Sequence, residues 1–164
     1  MASQMACAFR RLEPAMDRMI SAARLFAQPV LRLALAVPFW YSGLTKWTGF
    51  LVLSPAATYL FSEDFKLHLP GGPYHLPFPG VLAPLDAVME IILPVLLVLG
   101  LGTRFAALGL LVMTGVIELV VPEGWANFHL PWAGLALGIM ALGAGPLSLD
   151  HLLAGRFAAR GRGR

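Results

Sequence analysis

Four apolar runs, about residues 29–50, 81–101, 105–121 and 131–147, each approach the length a helix needs to cross the roughly 30 Å hydrocarbon layer of a bilayer. Backbone inside hydrocarbon must satisfy its own hydrogen bonds, so an isolated apolar run of this length can cross only as a helix. The 58% hydrophobic and 13% charged composition lies far from that of soluble domains. A chain of 164 residues has room for one domain of four spans joined by short loops, and no internal repeat or second domain is evident. The expected fold is an all-α integral membrane protein, a four-helix up-down bundle with an N-terminal amphipathic helix and an outer loop containing a short helix.

Charge sets the orientation. Arg10, Arg11, Arg18, Arg24 and Arg32 lie before or at the start of the first run, Arg104 separates the second from the third, and Arg156, Arg160, Arg162 and Arg164 follow the last. Only Lys46, near the outer end of the first run, and Lys66, between the first run and the second, fall on the other side. With four crossings, ten basic residues share one side with three acids, giving +7, and the other side sums to −4. The positive-inside rule then puts both termini in the cytoplasm. Basic residues placed as span flanks serve orientation and anionic lipid heads, not nucleic acid.

The chain divides into a cytoplasmic or interfacial segment 1–28, a membrane domain 29–152 and a basic tail 153–164. No run in the first segment has the form of a signal peptide. From Pro14 onward, Met16, Met19, Ile20, Ala23 and Phe26 recur at helical spacing opposite Asp17, Arg18, Ser21, Arg24 and Gln28, the pattern of an interfacial helix. Cys7 is the single cysteine, so the chain alone cannot exchange an internal disulfide. Residues 54–80 hold Pro70-Gly71-Gly72-Pro73, a strong break, and read as a short helix over 56–66 followed by an ordered irregular loop. Alternating prolines and apolar side chains favour folding of this loop over the outer mouth of the bundle. Gly134-x-x-x-Gly138 permits close helix approach.

Ionisable groups at membrane depth need partners or a water-filled cavity. Asp86 and Glu90 share a face of the second span at i, i+4, about 8 Å and about 14 Å below its outer end at about 1.5 Å per residue. Glu118 lies one turn from the outer end of the third span, Lys46 near that of the first, and His129 at the start of the fourth. All these groups fall in the outer half. One reading is an interhelical ion pair of Lys46 with Asp86 or Glu90 that fixes register. The other is an outward cavity for a polar ligand, because three carboxylates against one lysine call for a proton or another cation. In that cavity Lys46, Asp86 and Glu90 are the catalytic candidates, and Trp47, Glu118, His129 and Trp132 the ligand-binding ones. His68 and His75 flank the Pro-Gly break and, with His129, form a weak candidate set for Cu or Zn. A phosphate loop, a nucleophile elbow, haem-ligating histidine pairs within a span and an arginine ladder are all missing from the sequence.

Leu31-Arg32-Leu33 leading to Gly43-Leu44-Thr45-Lys46-Trp47 resembles the first-span signature of the DoxX family of small four-helix membrane proteins. So do Glu90-Ile91-Ile92-Leu93-Pro94 running into Leu99-Gly100-Leu101-Gly102-Thr103-Arg104, and the ending Leu147-Ser148-Leu149-Asp150. The similarity covers roughly residues 29–152. It implies a bacterial inner-membrane protein linked to redox chemistry, such as the small membrane subunit of a thiosulfate:quinone oxidoreductase, with Lys46 and Glu90 at family positions. Asp86 and the histidine-bearing loop look like features of a subset that accompanies metal-stress or peptide-modification genes. The resemblance therefore implies a quinone ligand and a redox or metal-related protein partner beside the lipid bilayer, and a homo-oligomer stays open. The rival expectation is a non-enzymatic module for periplasmic metal handling or for anchoring a partner protein.

Overall fold

The computed structural model describes residues 2–161, with side chains from Met16 to Arg156 except Arg24. Helix α1 runs Ala2–Thr45, 44 residues without a break, so the N-terminal segment and the first span are one continuous helix through residue 28. It ends at Thr45, and the last residues of the expected first span turn into a small hairpin of β1 (Trp47–Gly49) and β2 (Val52–Leu53). Cys7 lies outside the described side chains.

Ser54 caps the next element: its hydroxyl accepts from the Ala57 N–H at 3.1 Å, and Pro55 supplies a preset first turn. Helix α2 (Pro55–Tyr59) continues as a π-turn over Leu60–Asp64. The segment expected to be irregular is instead an antiparallel hairpin, β3 (Lys66–Leu69) with β4 (Gly72–His75). Gly71 and Gly72, at φ 105° and 140°, take up the turn. The two hairpins make the fold mostly, not purely, helical.

Helix α3 (Pro79–Leu99) and helix α4 (Thr103–Val120) are joined by three residues, of which Gly100 and Gly102 are left-handed. So short a turn forces the two helices to run in opposite directions. A 3-10 turn (Pro122–Gly124) and a π-turn (Trp125–His129) lead into α5 (Leu130–Leu142), and α6 (Leu149–Gly161) closes the chain. Among the described residues three stretches are long and apolar enough to cross a membrane: Met16–Thr45, Pro79–Leu99 and Thr103–Val120. Helix α5 has 13 residues, fewer than the expected fourth span, because Gly143 and Gly145 turn left-handed just ahead of Pro146 and stop it.

The main core draws on four helices: Leu35 and Phe39 of α1, Leu97 of α3, Leu110 of α4, and Ala136 and Ile139 of α5. A second cluster, Phe61, Leu76 and Ala83, fastens the segment between α1 and α3 onto one end of the bundle. The close helix approach that Gly134 and Gly138 would permit is not there, since both face open space. It occurs at Gly109, where an added Cβ would lie 2.8 Å from Leu93, and at Gly43.

Candidate functional site

Gly43 brings α1 onto α3. A Cβ there would sit 2.9 Å from Ile91 Cδ1 and 3.0 Å from the Glu90 carbonyl oxygen. One turn later the Lys46 N–H bonds the Gly43 carbonyl at 3.1 Å, and the Lys46 carbonyl accepts from Ser54 N–H at 2.8 Å. With its backbone held from both sides, Lys46 reaches across to α3 and donates to the carboxylates of Asp86 and Glu90 together. Glu90 is almost wholly buried, with 3% of its side chain exposed, and the Lys46 side chain is 13% exposed. The Phe61 ring lies 5.8 Å from the ammonium, close enough for a cation–π contact.

This trio forms one wall of a cavity of about 530 Å³. The rest is chiefly apolar: Phe39 of α1, Met89 of α3, Ile117 of α4 and Trp132 of α5. Ser42 of α1 and Ser54 add hydroxyls to the lining, and α2 with its π-turn contributes Ala57, Leu60 and Phe61. A few convergent polar groups in a mostly apolar void is the usual make-up of a small-ligand site. Trp132 packs on Phe39, with ring centroids 5.1 Å apart.

Glu118 and His129 form a separate pair. His129 Nδ1 lies 2.6 Å from the Glu118 carboxylate, and the imidazole is buried against Gly124, where an added Cβ would fall 2.6 Å from the ring. Neither residue lines the cavity, but Trp132 links the two places, its ring centroid 5.6 Å from that of His129. Trp47, expected to flank the ligand, lies instead in a shallow groove with Trp40, Leu44 and Ile92. The end of α1 turns it away from the trio.

The three histidines stay apart. His68 Nδ1 is 3.3 Å from the Leu119 carbonyl, His75 lies 2.7 Å from Lys66 Nζ, and His129 is held by Glu118. The β3–β4 register places His75 opposite Lys66 and His68 opposite Pro73, so neither imidazole stands directly across from the other. Among the described residues no three His, Cys, Asp or Glu side chains gather as a metal-ligand set.

The opposite end of the bundle holds residues that the sequence marked only as a motif. Asp150 accepts from Gly102 N–H at 2.7 Å and Thr103 N–H at 2.9 Å, capping α4 from another helix. Burial would raise the Asp150 pKa, but these two N–H bonds, with the nearby Arg32 charge, outweigh it and hold the carboxyl below its ordinary value. Arg32 is buried, donates to the Leu147 carbonyl at 2.5 Å and packs against Gly100. Gln28 donates to the Leu142 carbonyl at 3.2 Å. Ser148 caps α6 by accepting from His151 N–H at 3.2 Å.

The family model described as DoxX matches residues 27–123, more than half of the chain and inclusive of the trio, Glu118 and the cavity-lining parts of α1, α3 and α4. No curated protein and no solved structure matches.

Proposed function

This chain belongs to the DoxX family as a polytopic membrane protein, and we propose that it is the membrane subunit of an oxidoreductase system, holding a quinone head in the cavity beside Lys46. Helices α1, α3, α4 and α5 are read as four crossings of a bacterial inner membrane with both termini cytoplasmic. The partition of basic residues supports that orientation, because Arg10 to Arg32, Arg104 and Arg156 to Arg164 then share one side.

The observation that carries the reading is the convergence of Lys46, Asp86 and Glu90 on an apolar cavity of about 530 Å³. Its size suits a substituted aromatic ring, since ligand pockets run from about 300 to 1,000 Å³. Phe39 and Trp132 offer flat apolar surfaces, and Lys46 offers ammonium protons to a carbonyl oxygen. A bound quinone supplies two-electron chemistry that needs two protons for each pair of electrons. Asp86 and Glu90 are placed to hold those protons, and Lys46 keeps both carboxyls in position. One lysine and two carboxylates carry a formal net −1. With a single cysteine, the chain relies on a partner protein for its electrons.

Quinone content of protein purified in mild detergent tests this. About one quinone per chain is expected in the native protein and much less in Glu90→Gln. Native protein free of quinone, with stoichiometric Cu or Zn in its place, would turn the reading to a metal-handling module.

A further inference from the structure

Helices α3 and α4 are tight at one end and apart at the other. Near their connecting turn Gly109 abuts Leu93, but beyond it both helices become cavity wall. Three of the residues lining that wall are also open to the outside of the molecule: Leu85 of α3 is 49% exposed, and Val112 and Val116 of α4 are 60% and 49% exposed. A side chain that borders an internal void and the outer surface at once marks an opening. This one is wholly apolar and lies in the outer parts of two spans, where the outside is lipid. Thr45, Ala56 and Val121, at the end of the bundle, are lining residues that are exposed as well, but the rest of the lining is covered. Phe61, Leu76 and Ala57 are buried over the end of the bundle, β3 packs along α4 with His68 on the Leu119 carbonyl, and α1 is pressed onto α3 at Gly43.

We propose that the gap between α3 and α4, bordered by Leu85, Val112 and Val116, is a lateral portal through which the ligand enters from the bilayer and its apolar tail remains in lipid. This rests on the quinone reading of the cavity and narrows it to lipid-soluble quinones with an alkyl or prenyl tail. Water-soluble ring compounds fit the chamber but have no use for the portal. Lys46 meets the carboxylates of α3 from the end of α1, so a head that enters between Val116 and Leu85 reaches Lys46 only after passing them. Valine and leucine at those positions set the width of the passage.

The test uses full-length protein in lipid nanodiscs and two probes: a decyl-tailed benzoquinone and the same ring without its tail. Native protein, Val116→Trp, Leu85→Phe, Glu90→Gln and a lipid-facing control, Val95→Trp, are compared for protein-bound quinone against its concentration. Val116→Trp and Leu85→Phe should weaken binding of the tailed probe about tenfold, the size of an overpacking penalty. Both should bind the tailless ring within a factor of two of native, which also shows that they are folded. Val95→Trp should change neither. Tailed-probe binding that is unaffected in both portal variants overturns the portal, as does an equal loss for both probes. If Glu90→Gln binds both probes as native protein does, the quinone reading itself fails, whatever the portal variants do.

Discussion

Lys46 holds two carboxylates that would otherwise face each other in a largely buried place. Lys46→Met should therefore destabilise the protein by about 3 kcal/mol, the cost of leaving buried charge without its partner. Combining it with Asp86→Asn and Glu90→Gln removes the charge imbalance and should recover most of that loss in thermal unfolding, because an apolar replacement of a buried ion cluster is often close to neutral. Quinone retention should stay lost in the combined variant. Full retention there would reduce the trio to a device for helix register. At the other end Asp150 has a depressed pKa, so its contribution is present above the ordinary carboxylate value of about 3.9 and disappears as pH falls through its folded value. Native protein should lose thermal stability in that acidic window, and Asp150→Asn should be less stable at neutral pH with a flatter acid slope. Equal slopes would mean that the caps on Gly102 and Thr103 do not depend on charge.

At the scale of the elements, apolar run length and period were readable, and α3 and α4 lie within two residues of the expected spans. The pairing of Lys46 with Asp86 and Glu90 was readable too, from depth and the i, i+4 spacing. What escaped was set by contacts between distant segments. Nothing local marks Trp47–Leu53 as a hairpin, since its strands have two and three residues and Leu51 takes a left-handed φ of 56° that propensity disfavours. The Asp150 cap joins residues 47 and 48 positions apart, beyond any local window. Ser148 two residues before it was a legible N-cap signal for α6. Alternation in Lys66–Leu69 and Gly72–His75 around Gly71-Gly72 likewise carried a hairpin signal that the prolines masked. Because β3 is paired along its length and its end of the chain is fastened by Phe61 and Leu76, trypsin should cut native protein slowly at Lys66. Rapid cutting with the helices left intact would show that this cover opens freely.

For the whole molecule, orientation is the property that charge alone should decide. A reporter after Arg164 should be active only if it works in the cytoplasm, and one inserted between Gly71 and Gly72 only if it works in the periplasm. The opposite pattern would invert the protein and put the cavity on the wrong side. Packing and polar ties are unevenly distributed along the bundle axis. Arg32, Gly100 and Asp150 interlock at one rim, and an added Cβ on Gly100 would fall 2.1 Å from the Arg32 guanidinium. The void occupies the other end, where Met89 and Val116 line it without tying one element to another. A protein built this way can drift in what it holds without first losing what holds it together. In a saturation library scored for membrane abundance, replacements at Met89 and Val116 should be widely accepted while those at Gly100 and Asp150 are purged, so that new ligand preferences can arise by single steps through folded ancestors.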